Sequence, residues 1–274
     1  MSPTINRLSQ TDAGLSAVHG ADARFTAATQ RLSSGRRITQ AAADPAGASV
    51  ASWLQAELRS FDTVARGIQD GVSLIQTADG ALGSMHDMVG RVRELAVQAS
   101  TGTLSSDDRS AIQTEIDGLT AEIDRVARDP EFDQRKLLDG GSGPGTGITV
   151  PTSADDTGSV VEIEDARAAT LGLIGLDVSD PAGALAAMSA ADSATQAISA
   201  RRASLGAFEN AFTSAIGRVQ VAAENTAAAE SRIADADVAR EVVEATAARV
   251  QRDVALAVQT QSAQNAGSVL RLVQ

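Results

Sequence analysis

One apolar repeat, between residues 64 and 99, constrains the fold of this chain more than any other feature of its sequence. From Val64, steps of alternately four and three residues reach an apolar or small residue every time up to Ala99. A repeat of about 3.5 residues is typical of a helix that packs along other helices. At about 1.5 Å per residue this helix would be on the order of 50 Å long. We therefore predict long helices, with this stripe forming intramolecular core.

Two further helices are bounded by capping and breaking signals. One begins at Ser105 or Ser106, carries a stripe over 112–126, and ends near Asp129, because the following proline disfavours helical backbone. Another begins at Pro181, with Asp180 as its N-cap. Its first apolar face is predicted to contain Leu185, Met188, Ala191 and Ile198, and a longer stripe follows over 208–233.

The segment between these helices has a different character. Residues 139–147 are rich in glycine, and two short runs of β-branched residues follow at 148–150 and 160–163. The runs predict one hairpin over about 148–163. The glycines resemble a phosphate-binding loop, but the Lys-Ser/Thr ending of such a loop is missing and no strand precedes it. A flexible loop is the favoured interpretation.

Composition excludes several classes of function. The chain has no Cys, so disulfides, thiolate catalysis and iron–sulfur clusters are excluded. His19 and His86 are its two histidines, and neither has a partner at metal-ligand spacing. A net charge of −12 argues against nucleic acid and anionic membranes as partners. We expect no enzyme activity, no cofactor and no bound metal.

The two chain ends carry apolar residues at helical spacing, but too few to fix a helix alone. Aromatic residues make up 2% of the chain, and many apolar positions are Ala or Val. Burying a Val or Leu contributes roughly 1.5–3 kcal/mol, whereas ordering each residue costs roughly 1–2 kcal/mol. We therefore expect 5–32 and 243–272 to pack against other copies of the chain. The predicted packing residues are Ile5, Leu8, Leu15, Val18, Phe25, Leu32, Val243, Val250, Val254, Val269, Leu270 and Leu272.

Several motifs resemble the signatures of bacterial flagellins. Gln-Arg-Leu-Ser-Ser-Gly-Arg-Arg-Ile at 30–38 is similar to the N-terminal signature, and Ser-Val-Leu-Arg-Leu-Val-Gln at 268–274 to the C-terminal one. The other segments that carry the resemblance are 70–82, 91–104, 112–116, 204–210 and 231–237. The resemblance spans roughly 5–138 and 165–274, most of the chain, with the motifs in the family's order.

The resemblance implies a mainly α fold, a long antiparallel helical rod with one small β-hairpin. Its terminal coiled coil, D0, would comprise 1–44 with 235–274, disordered in the monomer. Its inner part, D1, would comprise 45–180 with 181–234. No outer D2 or D3 domain is expected, because a helix resumes directly after the segment that usually flanks such insertions.

The implied function is a structural subunit of the flagellar filament used for swimming motility. Asp44 and Pro45 leave an alternative open, since this pair is similar to hook–filament junction proteins of the same superfamily. Implied partners are other copies of the chain, hook-associated junction and cap proteins, and the flagellar export apparatus with its chaperone. The implied location is the extracellular filament, reached through the flagellar secretion channel without a cleaved signal peptide.

Toll-like flagellin receptors recognise part of D1 in many family members, and Arg91, Leu95, Gln98 and Glu115 match the recognised positions.

Asp133-Gln134 stands where the family favours Asn-Gly, which leaves the geometry of that turn open.

Overall fold

A computed structural model describes the backbone of residues 3–141, 147–153 and 158–273, and side chains from residue 14 to residue 264 within those ranges. In this described part the chain is mainly helical. The helices are α1 (Pro3–Ser34), α2 (Pro45–Ala99), α3 (Ser106–Arg128), α4 (Pro181–Ala234) and α5 (Val238–Val273). The strands are β1 (Glu131–Phe132), β2 (Arg135–Lys136), β3 (Ile148–Val150) and β4 (Ser159–Val161). The mainly α fold and its small antiparallel strand pair are confirmed.

Residue contacts divide the chain into two compact units. One unit combines the residues up to Leu58 with those from Glu224 onward, and the other runs from Arg59 to Ala223. Helices α2 and α4 contribute residues to both units.

The core of the second unit is built on the repeat in α2. Every position of that repeat from Val64 to Ala99 is buried, which confirms it as intramolecular core. Gly71 belongs to the repeat, and a side chain there would meet the Val150 methyl groups at 2.9 Å and the Phe212 ring at 3.0 Å. The missing side chain therefore allows β3 and α4 to lie directly against α2.

Helix α3 begins as its capping signal predicts. The Asp108 amide donates to the Ser105 hydroxyl at 3.2 Å, and the Ser105 amide donates to the Asp108 carboxylate at 3.2 Å. The hydrogen bond from the Ser105 hydroxyl is the main reason why the pKa of Asp108 is lowered. This reciprocal capping box fixes the start of α3 at Ser106, and Arg128 ends it before Pro130.

Helix α4 begins at Pro181, and the Gly183 amide donates to the Asp180 carboxylate at 2.6 Å. The predicted apolar face of its first turns was wrong in one position, because Leu185 is 60% exposed. The buried line begins one residue earlier, at Ala184, and continues through Ala187, Ala191, Ala194 and Ile198, so it shares Ala191 and Ile198 with the prediction. Alanine lets helices approach closely, so small residues occupy the contact while the larger Leu185 points outward.

The segment between β4 and α4 is fixed by hydrogen bonds of side chains to its backbone and among its own side chains. The Gln113 amide group on α3 donates to the Leu176 carbonyl and accepts from the Val178 amide, both at 2.8 Å. The Asp165 carboxylate accepts hydrogen bonds from Arg167 and Thr170. The Arg167 guanidinium is the main cause that lowers the pKa of Asp165 to about 2. This segment is therefore packed against the helices of its own unit.

The sequence did not reveal a second strand pair, in which β1 and β2 join antiparallel around Asp133 and Gln134. Both turn residues have positive φ, 50° at Asp133 and 63° at Gln134. Two such residues between antiparallel strands are typical of a type I′ turn, for which Asn-Gly is the favoured pair. Asp133 and Gln134, which replace the favoured Asn-Gly pair, thus still form the turn, but both are non-glycine residues in left-handed backbone.

Replacing both residues by the favoured pair should stabilise the protein. Because left-handed backbone costs a residue with a side chain about 1–2 kcal/mol, Asp133→Asn with Gln134→Gly should raise the free energy of unfolding by about 1 kcal/mol. Denaturant unfolding followed by circular dichroism measures this. Asp133→Asn alone is the control and should change little. An unchanged or lower midpoint for the double variant would contradict the turn assignment.

Candidate functional site: the two faces of the terminal helix pair

Helices α1 and α5 pair in antiparallel orientation within the first unit. Arg31, near the end of α1, contacts Glu241 near the start of α5, whereas Asp22, earlier in α1, contacts Arg252 further along α5. The expected pairing of the terminal segments is therefore confirmed.

The seam between these helices is thin. Among the side chains that the structure describes, the buried apolar residues of α1 and α5 are Val18, Ala21, Ala28, Ala245 and Ala248. Alanine allows close approach, but it has no side-chain shape that would distinguish one register from the next. The register must therefore be set by other contacts.

The first such contact is an ion pair at one end of the seam. Glu241 is the one polar or charged residue that is buried among those whose side chains are described, with 7% of its surface exposed. The Arg31 Nε donates to its carboxylate at 3.1 Å, and Arg31 Nη2 lies 3.7 Å from Glu244. A buried charge with a single partner favours the register that supplies that partner.

The second contact lies further along the pair. The Arg252 guanidinium lies over the Phe25 ring at 5.4 Å from the ring centroid, and its Nη1 is 3.6 Å from the Asp22 carboxylate. This stack combines a cation–π interaction with an ion pair. The two arginines, one on each helix, thus hold the alanine seam at two points.

The segment between α1 and α2 and the segment between α4 and α5 add backbone hydrogen bonds at the end of the seam where Arg31 contacts Glu241. The Arg37 amide donates to the Ala234 carbonyl at 2.7 Å, and the Ala236 amide donates to the Gly35 carbonyl at 2.9 Å. The Arg37 guanidinium also donates to the Ile233 carbonyl at 2.7 Å. Sequence reasoning singled out the segment 30–38 but found no role for its arginines, because their partners are about 200 residues away in the chain.

Breaking the buried ion pair should loosen the helix pair. Glu241→Ala leaves Arg31 without its buried acceptor and should cost about 1–3 kcal/mol in local stability. Amide hydrogen exchange over α5 would measure this as faster exchange. Glu244→Ala is the matched control, because Glu244 is 48% exposed and its pair with Arg31 should contribute about 0–1 kcal/mol. Equal effects of the two substitutions would contradict a register role for Glu241.

The opposite side of α5 carries a row of exposed valines. Val243, Val250, Val254 and Val258 are 68%, 56%, 57% and 60% exposed. At about 100° per residue these positions fall on one side of the helix, roughly opposite the seam positions 241, 245 and 248. We call these four valines the valine face. Helix α5 therefore has a buried alanine side and an exposed valine side.

The structure divides the predicted packing residues of the termini into three groups. Val18 is buried in the seam, while Phe25 and Leu32 are half-buried. Leu15 is exposed, as are the three predicted valines of α5. The remaining ones lie outside the residues whose side chains are described: Ile5, Leu8, Val269, Leu270 and Leu272.

The four residues that match receptor-recognised positions, on α2 and α3, are only partly on the surface. The Arg91 Nη2 donates to the Glu115 carboxylate at 3.0 Å, and Nη1 donates to Glu94 at 3.1 Å. These hydrogen bonds, first that with Glu115, raise the pKa of Arg91. Gln98 is exposed beside them, but Leu95 is only 2% exposed. The structure thus joins Arg91 to Glu115 and places Leu95 in the core.

No group of three or more His, Cys, Asp or Glu side chains in the part of the chain that the structure describes could hold a metal ion. None of the described helices has a stretch long and apolar enough to cross a membrane. His19 is exposed and His86 half-buried, each on a different helix.

Comparison with known proteins gave two family matches. Residues 5–142 match the family model described as the bacterial flagellin N-terminal helical region. Residues 188–273 match the model described as the bacterial flagellin C-terminal helical region.

Individual relatives match over nearly their full length. A flagellin of Halalkalibacterium halodurans is 36% identical over 252 residues, 90% of this chain and 91% of the relative. The flagellar filament 30.7 kDa core protein of Treponema maltophilum is 34% identical over 89% of this chain and 90% of its own length. The crystal structure of Bacillus cereus flagellin is similar with a TM-score of 0.51 and 32% identity, covering 60% of this chain and 94% of that one.

Proposed function

This chain belongs to the bacterial flagellin family and is a structural subunit of a flagellar filament, and we propose that its valine face on α5 is a surface through which subunits pack. The filament is an extracellular appendage that serves motility. The observation that supports the proposal is the exposure of the valine face on the side of α5 opposite its seam with α1.

The energetics favour burial of this face on assembly. Each fully buried valine contributes roughly 1.5–3 kcal/mol, and the valine face leaves more than half of each side chain in water. A row of exposed apolar residues on a single helix marks an interaction surface. A helical filament repeats one heterologous contact without closing it, so the same face can be covered in every subunit.

The proposal extends to the other predicted packing residues that are not buried in the seam. Leu15 is 45% exposed on α1 and can take part in the same contact. Packing roles are also proposed on the sequence pattern for Ile5, Leu8, Val269, Leu270 and Leu272. Phe25 and Leu32, which are half-buried, contribute their remaining exposed surface.

We propose the following organisation and partners from the resemblance. Residues 1–44 with 235–274 form the terminal D0 part, and 45–180 with 181–234 form D1 without outer domains. The subunit leaves the cell through the flagellar export apparatus with the help of a chaperone. At the filament ends it meets junction and cap proteins of the flagellum.

Charges placed on the valine face should stop assembly and leave the fold intact. Val250→Asp with Val254→Asp should abolish elongation of filament seeds, because each assembled subunit would bury two carboxylates. The free energy of unfolding should change by no more than about 0.5 kcal/mol, since both side chains are exposed. Seeded elongation followed by light scattering and electron microscopy measures the first effect.

The matched control is Thr260→Asp, which adds a carboxylate at an exposed position of α5 away from the valine face. It should elongate seeds at the wild-type rate. Normal elongation by the double valine variant would refute the proposed surface. Failure of the wild type to elongate seeds at all would instead favour the junction-protein alternative, because an adaptor does not build long filaments.

We also propose that the free subunit engages a Toll-like flagellin receptor through Arg91, Gln98 and Glu115. The Arg91–Glu115 pair is half-exposed and joins α2 to α3, so it offers a charged, ordered surface. Leu95 would act from the core by keeping α2 in place.

Arg91→Ala with Glu115→Ala should reduce receptor signalling by purified monomer about tenfold or more, since two charged groups of one contact are lost. A cell-based reporter assay measures this. Arg66→Ala with Asp62→Ala is the control, an exposed pair on the same helix outside the proposed surface. Equal signalling by the two double variants would contradict the proposal.

A further inference from the structure

Four Asp-Gly pairs occur in this chain, and they lie in two kinds of backbone. Asp70 and Asp79 are inside α2 and Asp117 is inside α3, each followed by a glycine of the same helix. Asp139 and Gly140 lie in the segment between β2 and β3, outside any helix or strand. Because glycine has no side chain, it leaves the aspartate carboxyl unhindered access to the next amide.

Helical backbone blocks one reaction of this pair. In that reaction the glycine amide nitrogen attacks the carboxyl carbon of the aspartate side chain and closes a five-membered ring. Inside an α-helix the same amide donates to the carbonyl four residues earlier, which fixes the backbone dihedral angles. Ring closure needs a different rotation about the Cα–C bond of the aspartate. The pairs that begin at Asp70, Asp79 and Asp117 are therefore held in an unreactive arrangement.

Asp139 is held differently. Its carboxylate accepts a hydrogen bond from the Gly141 amide at 2.9 Å, so the side chain folds back along the main chain past Gly140. Within the part of the chain that the structure describes, the Gly140 amide has no hydrogen-bond acceptor. Gly140 is exposed and has a φ of 87°, far from helical geometry. Its nitrogen is thus available to the carboxyl that precedes it.

We propose that Asp139 is a site of spontaneous covalent modification, at which aspartate converts to isoaspartate. The Gly140 nitrogen bonds to Cγ of the protonated Asp139 carboxyl, the Cγ–OH bond breaks, and the hydroxyl leaves as water with the amide proton. Water then opens the succinimide ring. Opening at the side-chain carbonyl restores aspartate, whereas opening at the main-chain carbonyl leaves the chain running through the side chain. Water is the one co-reactant, and nothing is oxidised or reduced.

The modified position adjoins buried backbone. Leu137 and Leu138 are fully buried, and the Leu138 carbonyl accepts a hydrogen bond from the Ala166 amide at 2.9 Å. Isoaspartate adds one carbon atom to the main chain directly after Leu138 and shortens the carboxylate that bonds Gly141. The modification therefore changes the chain path next to the core of its unit.

Ageing the purified subunit at neutral pH, below its unfolding temperature, tests the inference. After trypsin digestion, mass spectrometry with electron-transfer fragmentation distinguishes isoaspartate from aspartate at each pair. Position 139 should contain about tenfold more isoaspartate than 70, 79 or 117, because helical hydrogen bonds protect those three. In concentrated guanidinium chloride the four should react at similar rates, since the backbone no longer differs. Similar amounts at all four positions in the folded subunit would overturn the inference.

Two substitutions at the site test the ring itself. Asp139→Asn closes the same ring with loss of ammonia, so hydrolysis gives a product of higher mass. Asp70→Asn, at an exposed position of α2, is the matched control and should deamidate far more slowly. Asp139→Glu keeps the charge but cannot close a five-membered ring, so isoaspartate should disappear from this segment.

Equal deamidation of the two asparagine variants, or an unchanged isoaspartate signal in Asp139→Glu, would overturn the proposal. The chemistry involves no contact between copies of the chain. Failure of this inference therefore leaves the proposed function standing, and failure of seeded elongation leaves this inference standing.

Discussion

Close packing of small side chains between long helices is the contact on which the rest of this structure depends. Alanines line the buried side of α4 and the seam between α1 and α5, and Gly71 lets Val150 and Phe212 touch α2. Small side chains bring helix backbones close together, so the helices can pack along much of their length. They also bury little area per residue, which makes each such contact weak on its own.

The proportion of small to large buried side chains differs between the two units. In the unit from Arg59 to Ala223 the repeat of α2 adds large side chains such as Ile68, Leu82 and Met85, all fully buried, and a continuous core results. In the other unit the α1–α5 seam is mostly alanine, and two arginines hold its register. The valine face of α5, by contrast, lies outside the seam. Part of the apolar surface of α5 is therefore exposed in the subunit, as the proposed packing through the valine face requires.

Much of the fold follows from local sequence signals. The repeat of 64–99, the capping box at Ser105 and the Asp180–Pro181 start depend on contacts within one or a few helical turns, so periodicity and capping rules predict them. Leu185 was misplaced because hydrophobicity favours the larger residue, whereas close helix packing favours alanine. The strands β1 and β2 are too short to give a pattern, and their turn lacks the usual Asn-Gly signal.

The helical character of this chain, the core stripe of α2 and the thinner apolar pattern of the ends are predictable from the sequence, because they repeat along the chain at a fixed period. Which apolar residues of the ends are buried within the subunit, and which are exposed, depends on how the helices pack. Val18 lies in the seam while Val250 and Val254 face outward, and Trp53 is exposed beside buried Leu54. Which side of a helix is covered depends on partners far away in the chain, as Arg31 and Glu241 show. A repeat within one helix therefore cannot predict it.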